Sequence, residues 1–237
     1  MKQMTFQTAW LLDIPVLPYP DALNLMRALV EAKRTTGLPQ ILMLLEHEPI
    51  LTMGRRSAPS DIRVSASSLA EKGIAVYHVE RGGLVTYHGP GQLVAYPIFD
   101  IQGMGFGVVD MVTRLEEVIL KTLADFDIAG ERKPDYRGVW IGEEKIASIG
   151  IAVSHGISFH GLALNYDPDL SHFDLITPCG ISGVQMTAMA RRLGEKIDPA
   201  RLRRKMVGHF SDLFRLTFSR WSMEEACRIS AIPPFVP

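Results

Sequence analysis

Two side chains in this sequence could make and break covalent bonds. Cys179 lies between Pro178 and Gly180 in an irregular segment. A thiol on a tight turn beside glycine is accessible, and nearby backbone N–H groups can face a developing oxyanion. The alternative is a small buried hydrophobe, the common fate of a free cysteine. Cys227, inside the amphipathic run Ala226-Cys227-Arg228-Ile229, fits that structural role better. Lys145 opens an apolar strand, Ile146 to Ile151, straight after the acidic turn Gly142-Glu143-Glu144. It either points to water at a strand edge or, beside a cysteine, steadies the thiolate and exchanges protons.

A third feature is the stretch from Arg81 to Gln92, in which four of twelve residues are glycine. Glycines at that density allow tight turns or let a ligand touch the main chain. Arg81, Thr86, Tyr87 and His88 add polar groups. The stretch reads as a loop between strand-like runs that could cradle a phosphate, a nucleotide or a narrow substrate. It lacks the G-x-x-x-x-G-K-[ST] spacing and the lysine of a P-loop. An apolar strand, Leu93 to Phe99, follows where a helix N-terminus would be needed. The seven histidines show no metal-ligand spacing, so no metal is expected. Arg191, Arg192, Lys196, Arg201, Arg203, Arg204 and Lys205 form a basic segment, either a solvated helix face or a dock for an acidic partner.

The elements that must position these groups follow from periodicity and caps. Pro20 suits a first helical position; Leu23, Met26, Leu29 and Val30 recur at helical spacing, and Gly37 stops the helix. Gln40–Glu46 is a buried strand and Ile50–Met53 a short one. Ala58–Arg63 reads as surface loop, Ser67–Lys72 as one or two helical turns, and Ile74–Val79 as a strand. A long helix spans about Val109 to Phe126, with Met111, Leu115, Val118, Ile119 and Leu123 on its buried face. Val139–Ile141 and Lys145–Val153 form a hairpin, and Ile157–Asn165 returns after His155-Gly156. Residues 166–186 are irregular, with Thr187 as the cap of a short helix. Asp198-Pro199 starts a helix, and Ser222-Met223-Glu224-Glu225 has the capping-box pattern. Helices and hairpins without regular βαβ alternation predict an α+β fold.

Length and composition set the frame. At 237 residues and 47% hydrophobic content the chain predicts one domain with a sizeable core. A net charge of −1 gives no pull toward nucleic acid or an anionic membrane. Two distant cysteines suit a reducing, cytoplasmic setting. Met1 to Trp10 does not read as a signal peptide, and no run of eighteen apolar residues predicts a membrane span.

Taken together, Arg81–Ile98 (RGGLVTYHGPGQLVAYPI), Gly138–Gly150 (GVWIGEEKIASIG), Phe159–Asn165 (FHGLALN) and Ile176–Gly180 (ITPCG) resemble the LipB family of lipoyl(octanoyl) transferases. Glu46-His47 with Thr52-Met53-Gly54-Arg55 looks like its early motif, and the resemblance covers roughly residues 40–195. It implies a biotin/lipoate ligase-like catalytic domain of mixed α/β type, with a core about 36–220 and a C-terminal helical tail about 221–237. It implies transfer of an octanoyl group from acyl carrier protein to a lysine of lipoyl domains, those of 2-oxoacid dehydrogenases and of the glycine cleavage H protein, without a cofactor. Cys179 and Lys145 match its catalytic pair. Its acyl-binding positions match Arg81, Gly82, Gly83, Leu84, Val85, Thr86, Tyr87 and His88, then Ser148, Ile149 and Gly150, then Gly161, Leu162 and Ala163. Leu84 stands where the family often has Gln, Met53 where Leu is usual and Arg137 where Pro is common. The competing expectations are an ATP-dependent lipoate or biotin ligase on the same fold, and a non-catalytic acyl-carrier-binding module.

Overall fold

The computed structural model describes residues 6–177 and 183–233. In chain order it holds β1 (Gln7–Val16), α1 (Tyr19–Thr36), β2 (Gln40–Glu46), β3 (Ile50–Met53), α2 (Ala66–Glu71), β4 (Ala75–His78) and β5 (Val85–His88). Next come β6 (Gln92–Ile98), α3 (Val108–Ala124), β7 (Glu131–Lys133), β8 (Tyr136–Ile141), β9 (Glu144–Ser154) and β10 (Ile157–Asn165). The chain closes with β11 (Gln185–Met186), α4 (Met189–Leu193), α5 (Pro199–Phe214), β12 (Leu216–Arg220) and α6 (Met223–Ser230). The large sheet runs β12-β1-β2-β6-β10-β9-β8-β7, with β11 added beside β9; β4-β3-β5 form a small second sheet. β12-β1-β2 are parallel, and the path from β2 to β7 is antiparallel. This is the mixed α/β architecture expected from the sequence.

The apolar runs make sense once both faces of the large sheet are covered. In β2, Leu42 and Leu44 enter the core under α3 and α5, whereas Ile41, Met43 and Leu45 enter the core under α1 and α6. A strand buried on both sides needs apolar residues at every position. β6 alternates likewise, with Leu93 and Ala95 on one face and Val94, Tyr96 and Ile98 on the other. The small sheet builds a third cluster from Leu51, Met53, Val85 and Tyr87 against Phe173, Leu175 and Ile176. The tail is docked: α6 buries Ala226 and Cys227, and Trp221 stacks on Trp10 at 4.5 Å.

Local signals were accurate where caps or periodicity spoke. Gly37 ends α1 in the left-handed conformation, Asp198 accepts from the Ala200 N–H, and Ser222 and Glu225 close their capping box. Four expectations change. The Gly-rich stretch is not all loop, because Val85–His88 pairs antiparallel with β3. Ala58–Arg63 holds a short 3-10 turn at Pro59–Asp61. Residues 166–186 hold a 3-10 segment, Leu170–Leu175, and β11. Thr187 does not cap α4; that position is Ala188, and the Thr187 N–H bonds to the Lys145 carbonyl at 2.9 Å. The apolar run Trp10–Ile14 lies inside the longer β1, whose first residues pair parallel with β12.

Candidate active site

A cavity of about 150 Å³ lies between β9, β10 and the segment entering β5. Lys145 sits at one end of its β9 wall, followed by Ser148, Ile149 and Gly150. β10 runs antiparallel beside it, so Ala163 pairs with Ser148, Leu162 with Ile149 and Gly161 with Gly150. The opposite wall is Arg81, Gly83, Leu84, Val85, Thr86 and His88. Three stretches far apart in sequence thus meet around one space.

Two positions expected at the cavity stand elsewhere. Gly82 gives its N–H to the Ile151 carbonyl and ties the turn to β9 without lining the cavity. Tyr87 points to the face of β5 opposite Thr86 and His88, as successive strand residues do, and shares the third cluster with Val85, which reaches the cavity edge as well. The Tyr87 ring packs on His172 and Phe173 at 4.8 and 5.4 Å. Gly89 and Gly91 also serve packing rather than a ligand. A Cβ at Gly89 would meet the Tyr87 ring, and one at Gly91 would stand 2.2 Å from the Asp167 carbonyl oxygen.

Arg81 is buried, and its guanidinium braces the backbone. Nη1 donates to the Gly82 and Leu84 carbonyls at 3.1 and 2.8 Å, and Nη2 donates to the Thr52 carbonyl and hydroxyl at 2.7 and 2.8 Å. Several charge-assisted bonds fix the turn against β3.

Lys145 is 2% exposed, not a solvated edge residue. Its Nζ donates to the Arg137 carbonyl at 2.8 Å and lies 5.4 Å from the Trp140 ring centroid. Burial of a cation demands such partners. Gly138 makes the room: at φ +115° it passes beside the lysine, and a Cβ there would stand 2.6 Å from Lys145 Cε. The Gly138 N–H is held by the Glu116 carboxylate on α3 at 3.1 Å, and Arg132 pairs with that carboxylate at 3.3 Å. Glu116 therefore sets the turn that supplies the lysine's acceptor.

A buried polar chain joins the two walls from behind. His88 Nδ1 and Gln92 Oε1 are 2.7 Å apart; Gln92 Nε2 donates to Asn165 Oδ1 at 2.9 Å, and Asn165 Nδ2 donates to the Thr187 carbonyl at 3.1 Å. Since Thr187 in turn bonds Lys145, this chain registers β11 against β9 beside the lysine. Asn165 and Gln92 were within the quoted motifs but were not singled out.

Cys179 lies outside the described residues. On its N-terminal side Thr177 gives its N–H to the Asp61 carbonyl and its hydroxyl accepts from Arg63; on its C-terminal side Met186 pairs with Lys145. Cys227 is buried in α6, as its amphipathic run suggested. Among the described residues no group of three or more His, Cys, Asp or Glu side chains could hold a metal ion, and no helix is long and apolar enough to cross a membrane. The basic segment is largely engaged within the chain: Arg191 and Arg192 pair with Glu144, Arg203 with Asp13 and Lys205 with Asp125.

Sequence reasoning missed seven cavity residues: Arg56, Asp135, Tyr136 and Arg137, and the buried Tyr19, Tyr96 and His160. The one sequence signal was the position of His160 inside the Phe159–Asn165 motif; the structure adds that it is a non-glycine residue at φ 55° in the middle of a strand. Such conformations concentrate at functional sites. With His47 and His88 these rings form a buried cluster. Burial pushes the His47 imidazole down to about 4 and depresses those of His88 and His160 as well. Tyr96 Oη lies 2.8 Å from His47 Nε2, while His47 Nδ1 faces the Leu17 carbonyl at 2.7 Å.

A stability prediction follows from His47. Its folded value lies below the unfolded one, so between these values the unfolded chain binds more protons. Stability is fully present above about pH 6.5 and falls as pH drops toward 4, by about 3 kcal/mol from this residue alone. Urea unfolding midpoints measured across that range should fall steadily; a flat profile would contradict the neutral buried histidine.

The chain matches known proteins over most of its length. Residues 18–211 match the family model described as the lipoyl protein ligase A/B catalytic domain. An octanoyltransferase of Syntrophobacter fumaroxidans is 40% identical over 217 residues, covering 92% of this chain and 95% of that protein. One from Chloroflexus aurantiacus is 41% identical over 203 residues, covering 84% and 91%. Among solved structures, a lipoate-protein ligase A bound with ATP superposes with a TM-score of 0.74 at 16% identity, covering 96% and 93% of the two chains. A bi-partite lipoate protein ligase from Thermoplasma acidophilum gives 0.70 at 17%, covering 96% and 91%. At these identities the structures speak to the fold alone.

Proposed function

Since this chain belongs to the octanoyltransferases of the lipoyl protein ligase A/B catalytic-domain family, we propose that it moves an octanoyl group from acyl carrier protein to a lipoyl-domain lysine through a thioester on Cys179. The acceptors in this reading are the lipoyl domains of 2-oxoacid dehydrogenases and the glycine cleavage H protein. The observation that carries it is the buried Lys145 at the end of a narrow cavity, beside the strand to which the chain returns after Cys179. A lysine withdrawn from water and held by specific partners is the kind of group that concentrates at functional sites.

The steps balance without a cofactor. Held as thiolate beside the Lys145 ammonium, Cys179 attacks the carbonyl carbon of the octanoyl thioester. The new C–S bond forms, the carrier thiolate leaves, and it takes its proton from Lys145. The octanoyl chain lies along Ser148–Gly150 and Gly161–Ala163. The acceptor lysine then attacks as an amine. Its proton passes to Lys145, the bond to Cys179 breaks, and the thiolate is restored beside the ammonium. Backbone N–H groups near Cys179 stabilise each oxyanion, a single donor being worth about 3–4 kcal/mol. Thioester to amide is downhill, so ATP has no role.

The test is direct. Purified chain, octanoyl carrier protein and an unmodified lipoyl domain should give octanoyl-lipoyl domain by intact-mass measurement in the absence of ATP. Product formed from octanoate and ATP, and none from the carrier thioester, would replace this reading with an ATP-dependent ligase.

A further inference from the structure

The peptide group between Arg137 and Gly138 is engaged at both ends. Its carbonyl accepts from Lys145 Nζ at 2.8 Å, and its N–H donates to Glu116 Oε1 at 3.1 Å. The carbonyl and N–H of a trans peptide point opposite ways. A carboxylate therefore stands at one end of this dipole and an ammonium at the other. Negative charge at the N–H end makes the carbonyl oxygen a better acceptor, and hydrogen bonds linked in this way strengthen one another. The backbone alone makes the link at residue 137. Proline also has a carbonyl, so the departure at Arg137 leaves the link intact.

A tie between α3 and the turn before β8 does not by itself require a charge. Glu116 is 2% exposed and, among the described residues, the one buried carboxylate. Burying a carboxylate costs more than burying a neutral amide that accepts the same bond. The second oxygen of Glu116 faces Arg132 Nε at 3.3 Å, and Arg132 is itself held by the Thr113 carbonyl and the Glu117 carboxylate at 3.2 and 2.7 Å. Arg56, Asp135 and Arg137 are exposed at the cavity edge, while Lys133 and Glu144 are ion-paired with Glu143 and Arg192. Water screens the exposed charges, whereas Glu116 and Lys145 are both shielded from it.

Building on the transfer reading above, we propose that Glu116 is a positioning residue for that reaction: through the Arg137–Gly138 peptide it fixes the Lys145 side chain and favours its protonated form. Lys145 gives its proton to the leaving carrier thiolate and takes one from the acceptor amine. The carboxylate favours the ammonium that begins and ends each cycle.

The test compares Glu116→Gln with Glu116→Leu. Glutamine keeps an oxygen for the Gly138 N–H and removes the charge; leucine removes both. Single-turnover loading of the full chain by octanoyl carrier protein is followed by intact mass across the neutral and alkaline range. Glu116→Gln should lower the loading rate at neutral pH about tenfold. It should also move the alkaline fall of the rate about one unit toward neutral, with the half-saturating carrier concentration unchanged. Glu116→Leu should lower the rate further, about 10²-fold. In combination with Lys145→Met, Glu116→Gln should add almost no further loss, because its effect passes through the lysine. A rate profile of the same shape and height in Glu116→Gln and the unsubstituted chain overturns the proposal. So does a loss that only tracks unfolded protein, or one that adds in full to that of Lys145→Met. A Glu116→Leu chain that does not fold leaves the Glu116→Gln profile to decide. Absence of octanoyl loading by the unsubstituted chain overturns the transfer reading itself, and the role of Glu116 with it.

Discussion

Cys179→Ser is expected to abolish the octanoyl-enzyme adduct, and Lys145→Met to lower the rate of transfer by about 10²–10⁴-fold. The two substitutions separate two roles. Serine keeps the size of the side chain but lacks a nucleophile that ionises readily, so no thioester forms. Methionine keeps most of the lysine's volume and removes its charge and its protons. Because Lys145 is buried and bonded to the Arg137 carbonyl, the methionine variant leaves that carbonyl without this donor. That costs about 1–3 kcal/mol of stability, too little to unfold a typical domain. Activity should therefore fall far more than stability. The measurement is single-turnover loading by intact mass, run beside a thermal melt. Loading at the normal rate in Lys145→Met would remove the lysine from the chemistry, and an adduct persisting in Cys179→Ser would place the nucleophile elsewhere.

The second large effect is expected at Gly138. Gly138→Ala should destabilise the fold by about 3 kcal/mol and depress transfer at the same time. An L-residue at φ +115° is strained whatever its surroundings, and the new Cβ would stand 2.4 Å from the Ala147 carbonyl oxygen and 2.6 Å from Lys145 Cε. Relief requires either β8 to move from β9 or the lysine to leave its position. Gly142→Ala is the matched comparison. That glycine also has positive φ, 57°, yet nothing lies within 4 Å of its added Cβ. Its cost should be about 1 kcal/mol, with transfer nearly unaffected. Urea unfolding of the two variants, with transfer rates normalised to folded protein, tests the difference. Equal effects at the two sites would mean that crowding against Lys145 is unimportant.

The Arg81 stretch illustrates how far motif reading reaches. Its glycines suggested a ligand against the main chain, and Gly83 does line the cavity. Gly89 and Gly91 instead admit the Tyr87 ring and the Asp167 backbone, and Arg81 spends its guanidinium on carbonyls of Thr52, Gly82 and Leu84. Residue type revealed that something had to approach closely; it could not reveal what.

The sequence by itself determined the elements whose causes are local. α1 with its Gly37 stop, α5 behind Asp198-Pro199, the α6 capping box and the β8–β9–β10 hairpins depend on residues a few positions apart, so their signals survive in a linear reading. It also carried the motifs around Lys145, Gly150 and Gly161. The tertiary structure alone decided everything that depends on long-range pairing. β12 joins β1 across more than two hundred residues, β5 emerges from a glycine-rich stretch only because β3 is there to pair with it, and Thr187 serves Lys145 rather than α4. The far end of the cavity belongs to the same class. Tyr19 comes from the first turn of α1 and His160 from β10, and no local pattern couples them. They come to line one cavity only when folding packs α1 against the face of the sheet that carries β10.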